Sequence, residues 1–253
     1  RLLDQAGVRP AHLVSQVHTD VPALTAVQRA LVRGAATVSA AVTALTPEGA
    51  QELRSWDMRA VPMTNPCPDL GGVADPAHSR TVVFLGRLSE GKQVDHLIRS
   101  FEAAARPGWR LRIYGSGPQE ERLRGLAEGA DADIELCGSV DDVGPVLAGA
   151  AIHALPSRFE GLSMCILEAN TAGVPSVVYD CSPGMRLAGG PAASLVPNGD
   201  VEAFGAALSV LMEDDAARAD AGRRAREYGR RFSTPAVVDR WLSLWDDLAA
   251  GPA

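Results

Sequence analysis

The most informative chemistry in this sequence lies in the run Pro156-Ser157-Arg158-Phe159-Glu160-Gly161-Leu162-Ser163-Met164-Cys165-Ile166-Leu167-Glu168-Ala169. Glu160 stands just before a predicted helix start, and Glu168 falls further along that helix, among Ile166, Leu167 and Ala169. A carboxylate in such apolar company needs a partner, because burying an unpaired charge is costly. At a rise of ~1.5 Å per residue the two acids lie roughly 10 Å apart, far enough to hydrogen-bond two different hydroxyl-bearing rings. The N–H groups of Gly161 and the next few residues form an anion site of their own. The plainer alternatives are a helix N-terminal carboxylate for Glu160 and a surface residue for Glu168.

A second loop, Gly86-Arg87-Leu88-Ser89-Glu90-Gly91-Lys92, brings cations to the same kind of place. It follows a strand and opens a helix, so it offers free N–H groups and the positive end of a helix dipole. Arg87 as a planar fork and Lys92 as a compact point charge together suit a diphosphate. Lys92 is the only lysine in the chain. The GxxxxGK[ST] pattern of a Walker loop is absent. A third loop, Tyr114-Gly115-Ser116-Gly117-Pro118, has glycines that permit either close approach to a ligand or a tight turn.

These loops need a scaffold, and the hydrophobic rhythm supplies one. Apolar runs at 81–86, 110–115, 134–138, 151–156, 175–180 and 194–197 read as strands. Amphipathic stretches at 93–105, 118–128, 143–149, 162–172 and 201–213 read as helices, and an irregular loop is expected after 175–180. Such alternation specifies an α/β fold, a Rossmann-like parallel sheet with helices on both faces. Ligands then sit beyond the carboxyl ends of the strands, where these loops lie. Upstream, an apolar run at 12–17, a helix near 22–33, a strand over 37–45 and a helix capped by Thr46 with Pro47 in its first turn form a smaller group. The expected organisation is a remnant of an N-terminal domain over 1–61, a proline-rich linker over 62–79, a ligand-binding domain over 80–232 and a C-terminal helical segment over 233–253. In that last segment Trp241, Leu244, Trp245 and Leu248 share one helical face. The chain opens inside what reads as a helix-to-strand segment, so a truncated N-terminus is expected.

Composition narrows the function classes. A net charge of −7 over 253 residues, with 46% hydrophobic and 22% charged residues, argues for a globular protein and against nucleic acid as the main partner. The four cysteines are scattered, with no CxxC, so neither a disulfide scaffold nor a structural zinc site is expected and a reducing compartment fits. No apolar run reaches membrane-spanning length. Asp131-Ala132-Asp133 imitates a metal-binding acid pair but falls in a helix-to-strand connection, at the wrong edge of the sheet. Asp141 and Asp142 read as the N-cap and first turn of the following helix.

Three segments in this order, GRLSEGK, then YGSGP, then SRFEGLSMCILEANTAGVPSVVYD, strongly resemble family 4 retaining glycosyltransferases of GT-B fold. The resemblance covers about residues 80–232 in full and extends more weakly to VHTD, ALTPEGAQEL and PMTNP upstream. Glu160 and Glu168 match the family's E-x7-E signature. The resemblance implies that Arg87 and Lys92 neutralise the diphosphate of a nucleotide-sugar donor, with no metal and no cofactor. It assigns Glu160 to hydroxyls of the transferred sugar, Glu168 to the ribose, and the N–H groups of Gly161, Leu162, Ser163 and Met164 to phosphate or sugar oxygens. Gly86 and Gly115 border the donor, Val140 lines the base pocket, and His18 matches a histidine on the acceptor side, the alternative being a loop histidine without chemistry. The implied reaction is retaining transfer of a hexose, from a UDP-sugar above other donors, to a cell-envelope glycan or lipid-linked acceptor. The implied setting is the cytoplasm of a bacterium, with peripheral membrane association through the rest of the N-terminal domain.

The sequence departs from the family at Leu187, where many members carry Glu, and at Gly91-Lys92-Gln93, where Glu-Lys-Gly is usual. A donor-binding module that does not transfer sugar stays open as an alternative. A pyridoxal-dependent phosphorylase is disfavoured, because Lys92 sits in a loop rather than in a buried site.

Overall fold

The computed structural model describes residues 13–250, which divide into two compact units. The larger, Pro66–Ala236, is built on a six-stranded parallel sheet. Its strands are β4 (Thr81–Leu85), β5 (Arg110–Tyr114), β6 (Asp133–Gly138), β7 (Ile152–Leu155), β8 (Ser176–Asp180) and β9 (Ser194–Pro197). They lie in the order β6-β5-β4-β7-β8-β9, the doubly wound arrangement in which the winding reverses between β4 and β7. Both central strands are almost wholly buried, which is why Thr81-Val-Val-Phe-Leu85 reads as an unbroken apolar run rather than an alternation.

The unit's helices are α3 (Val94–Ala104), α4 (Glu120–Glu128), α5 (Gly144–Ala148), α6 (Met164–Ala172), α7 (Pro183–Gly189), α8 (Val201–Glu213) and α9 (Asp215–Gly229). On one face Val83 and Leu85 pack with Leu147, Ala169, Ala172 and Val174. Elsewhere α3 and α8 come so close that the position of a Cβ on Gly205 is 3.1 Å from the Ser100 carbonyl oxygen. The Ser100 hydroxyl donates to the Val201 carbonyl at 2.8 Å.

Three expectations need correction. The segment after β8 is not irregular: α7 forms there, with Ser182 accepting from the Met185 N–H and Pro183 in its first turn, both ordinary helix-start signals. Asp141 does not cap α5; Val143 does so in a helical conformation, and Asp142 accepts from the Gly144 N–H instead. The stretch 62–79 is no free linker. Residues up to Asn65 group with the smaller unit, and the rest is pinned to the larger one. Ala74 N–H donates to the Ala172 carbonyl at 2.8 Å, and the fully buried Arg218 donates to the carbonyls of Pro76 and Ala77. Prolines withhold donors but leave carbonyls free, and a buried guanidinium must fill its five N–H positions somewhere.

In the smaller unit β1 (Val14–Val17), β2 (Ala41–Ala44) and β3 (Ala60–Pro62) form a parallel sheet in sequence order. They are linked by α1 (Ala26–Ala36) and α2 (Pro47–Arg54). Thr25 and Gln28 form a capping box on α1, and Thr46 accepts from the Gly49 N–H ahead of Pro47 on α2. The last helix, α10 (Thr234–Ala249), belongs to this unit from Val237 onward. Val237, Leu244 and Leu248 are buried with Ala41 and Met63, and Trp241 packs beside them. Trp245 departs from the expected apolar face: it is 39% exposed and stacks on Trp241.

One buried group gives the fold a signature in acid. His153, in β7, is fully buried, with Nδ1 3.1 Å from the Ser176 hydroxyl and Nε2 without a partner. Burial, reinforced by Lys92, pushes its pKa down to about 3 from an ordinary 6.5. The unfolded chain therefore takes up this proton first, and stability falls as pH drops from about 6.5 towards 3, by up to roughly 5 kcal/mol at full effect. We predict that melting temperatures measured between pH 4.5 and 7.5 fall more steeply for the native chain than for His153→Gln. Parallel curves would contradict it.

Candidate functional site

The loops at the carboxyl ends of β4, β5, β6 and β7 are stitched together by their own backbones. Gly86 N–H donates to the Tyr114 carbonyl at 3.1 Å, Leu88 N–H to Ser116 at 2.9 Å, and Gly115 N–H to Gly138 at 2.7 Å. The glycines are there for this contact: a Cβ on Gly115 would lie 1.8 Å from the Gly86 carbonyl oxygen, and φ is +142°. Arg158 N–H donates to the Gly91 carbonyl at 2.9 Å, which ties the loop after β7 to the loop after β4 across the reversal point. The loop after β4 ends in a 3-10 turn over Glu90–Lys92, and Gln93 caps α3 in the left-handed region, φ 47°.

Lys92 Nζ donates to a Glu160 carboxylate oxygen, a second tie between the same two loops, with both side chains largely shielded from solvent. The residue after Glu160 is held as well. A Cβ on Gly184 in α7 would coincide with the Gly161 carbonyl, so only glycine lets α7 pack this close. Beside the pair lies a cavity of about 520 Å3 bordered by Gly86, Arg87, Gly115, Val140, Cys165 and Glu168, among others. That is ample for a small-molecule ligand.

The residues singled out from the sequence fall as follows. Arg87, Gly86, Gly115, Val140 and Glu168 border the cavity, and Arg87 is exposed, with no partner among the described residues. Lys92 and Glu160, expected to act on different parts of a ligand, are joined to each other. Leu162 and Ser163 are buried, and Gly161 and Met164 half-buried, so this stretch offers backbone rather than side chains. Ser163 caps α6 without a side-chain hydrogen bond, which leaves the first amides of the helix uncapped by it. His18 is exposed in the smaller unit, just after β1. Asp133 opens β6 at the far edge of the sheet, where it pairs with Arg112 at 2.7 Å. Among the described residues no cluster of acids, histidines and cysteines is able to hold a metal ion.

Tyr114, Ser139 and Cys165 also line the cavity and were not singled out in advance. Cys165 was accessible to reasoning, since it lies three residues before Glu168 on the same helix face. Burial, with the Glu168 charge next, pushes the Cys165 thiol up to about 11, so it is an inert wall and not a nucleophile. Glu168 itself is half-buried, has no hydrogen-bond partner among the described residues, and is pushed above the usual carboxylate range by burial. Such a group is poised to accept hydrogen bonds from a ligand's hydroxyls.

A doubly wound sheet with paired cations and carboxylates at its reversal point defines an α/β unit suited to an anionic, hydroxyl-rich ligand. Residues 79–214 match the family described as Glycosyl transferases group 1, and the chain belongs to that family. It is 39% identical to an exopolysaccharide phosphotransferase of Streptomyces coelicolor over 68% of this chain and 19% of that protein. It is 33% identical to the lipopolysaccharide core biosynthesis glycosyltransferase LpsE of Rhizobium meliloti, over 67% of this chain and 50% of that protein. Its fold is that of GT-B glycosyltransferases: HepE of Anabaena, solved with UDP, superposes with a TM-score of 0.83 at 18% identity, over 97% of this chain and 74% of that one. The chain thus spans half or less of the length of these curated relatives. Among the described residues no helix is long and apolar enough to cross a membrane.

The strain at Glu168 has a measurable sign. Its raised pKa means that the ionised form costs stability, a penalty absent below the unfolded pKa and growing as pH rises through the folded one. Glu168→Gln is therefore predicted to melt a few degrees higher than the native chain at pH 7, with the difference vanishing near pH 4. A variant that melts lower at pH 7 would show that Glu168 is already satisfied.

Proposed function

We propose that this chain forms the donor-binding part of a retaining hexosyltransferase that takes a nucleotide-diphosphate sugar, UDP-linked above other bases, and passes the hexose to a cell-envelope glycan or lipid-linked acceptor. The observation that carries the reading is the placement, at the strand-reversal point, of Arg87 and Glu168 on one cavity and of the Lys92–Glu160 pair on the loops that border it. Arg87 and Lys92 match a diphosphate in charge and geometry. Glu168, unpartnered in its half-buried setting, takes the ribose hydroxyls. Val140, Val143 and Tyr114 give the base an apolar wall, and Glu160 takes hydroxyls of the sugar.

In the reaction the bond from the sugar's anomeric carbon to the diphosphate oxygen breaks, and an acceptor hydroxyl oxygen bonds that carbon on the same face. The hydroxyl proton leaves on the departing phosphate. The anomeric carbon passes through an oxocarbenium-like state, and the main catalytic contribution is stabilisation of the negative charge that collects on the diphosphate. Neither glutamate is asked to act as acid or nucleophile. That two of the relatives above are named for exopolysaccharide and lipopolysaccharide chemistry supports an envelope acceptor. A second reading, a unit that holds the nucleotide sugar without transferring it, is favoured by one observation. Every side chain gathered at this site is a donor-side group, whereas His18, the acceptor-side candidate, is exposed in the other unit.

Calorimetric titration of UDP, GDP and ADP, with and without Mg2+, tests the proposal. UDP binding indifferent to Mg2+ and weakened at least about tenfold in Lys92→Ala is expected, the loss of a charge-assisted phosphate contact. No affinity for any of the three nucleotides would sink it. Hydrolysis or transfer of the bound donor separates the enzyme from the binding module.

A further inference from the structure

Lys92 is the site's buried-edge cation, and in this structure its charge is already matched by Glu160, the carboxylate assigned to the sugar. The pair is not a loose surface contact: only 22% and 15% of the two side chains is exposed. Arg158 N–H to the Gly91 carbonyl and the Gly161–Gly184 backbone contact hold the two loops, so Glu160 has little room to withdraw. Cys165 and Cys181, whose thiols burial pushes up to about 11 with Glu168 and Glu160 adding for the first and Glu160 for the second, are neutral and offer Glu160 no counter-charge. Arg186, the nearest cation on α7, is paired with Asp180 at 2.7 Å.

An anionic diphosphate arriving at Lys92 must therefore compete with Glu160 for one ammonium. A free nucleoside diphosphate takes Lys92 and leaves Glu160 shielded, unpaired and close to a second anion, which is unfavourable. A nucleotide sugar takes Lys92 too, but its hexose brings hydroxyls that donate to the displaced carboxylate. We propose that Glu160 is the residue that discriminates between the sugar-bearing donor and the bare nucleoside diphosphate, by trading its ion pair with Lys92 for hydroxyls that only the donor carries. This rests on the donor-site reading above. It assigns Glu160 a role opposite in sign to a simple contact residue: Glu160 weakens the hold on the product while strengthening the hold on the donor. After transfer the pair re-forms and helps to expel the nucleotide.

The test is binding of UDP and of UDP-glucose, as probes, to the native chain, Glu160→Gln, Lys92→Met and the double variant, each checked for folding by circular dichroism. Glu160→Gln keeps the shape and removes the charge. It is expected to bind UDP about tenfold more tightly, a typical size for removing one competing charge at a shielded pair, and to bind UDP-glucose no better or less well. The gain for UDP shrinks or disappears when Lys92 is Met, because the contested ammonium is gone. Glu160→Asp, one methylene shorter and measured alongside as insurance against misfolding of the Gln variant, shows the same gain to a smaller degree. Unchanged or weaker UDP binding in the folded Glu160 variants overturns the inference, as does an equal gain with and without Lys92. Each of those results leaves the donor-site reading standing, provided the native chain binds UDP. If neither the native chain nor any variant binds UDP, the donor-site reading falls and the inference with it.

Discussion

The loops that follow β4 and β7 leave neighbouring parallel strands at the one place in the sheet where the winding reverses, and Lys92 and Glu160 join them there. This ion pair sets the terms for the rest of the site. Unpaired in such a setting, either charge would cost several kcal/mol, so each fixes where the other's loop must sit. The Arg158–Gly91 backbone bond and the Gly161–Gly184 contact flank Glu160 along the chain and limit its freedom. Arg87 and Glu168, by contrast, are left without protein partners among the described residues. The site thus has one satisfied pair and two unsatisfied groups of opposite sign, an arrangement that keeps its polarity whether or not a ligand is present.

The scaffold follows from simpler physics. Strands buried on both faces are mostly apolar, and β4, β7 and β8 are nearly continuous apolar runs, which made the parallel sheet legible from the sequence. Thr46-Pro47 announced its helix through ordinary capping chemistry. What failed to show was decided by tertiary packing. Ser182-Pro183 opens a helix in a segment so rich in glycine that it reads as a loop, and the helix persists because Met185 and Ala188 are buried beneath it. The proline-rich stretch after Asn65 is fixed by Arg218, a side chain more than a hundred residues away in sequence.

The candidate site was legible as a set of residue types and loops, but not as a set of contacts. The motifs that carry the family resemblance point to Arg87, Glu168, Gly86, Gly115 and Val140, which border one cavity. They could not reveal that Lys92 and Glu160 neutralise each other, because that depends on the side-by-side placement of β4 and β7, which are far apart in the chain. Nor could they show that Gly115 and Gly184 are glycines because other backbone, not ligand, approaches them. The buried, singly bonded His153 had no sequence signal, since a histidine within an apolar strand reads like any other residue of that run.

The central claim is that the ammonium of Lys92 belongs to Glu160 until a diphosphate takes it. Because Lys92 is the only lysine in the chain, reductive methylation with 13C-formaldehyde places a single side-chain amine reporter there, apart from the chain's amino terminus. Heteronuclear NMR of that signal during titration with UDP measures the exchange of partners directly. The account predicts a saturable shift with UDP, and a free-state position that moves when Glu160 is replaced by Gln. A lysine signal indifferent to both nucleotide and Glu160 would contradict it.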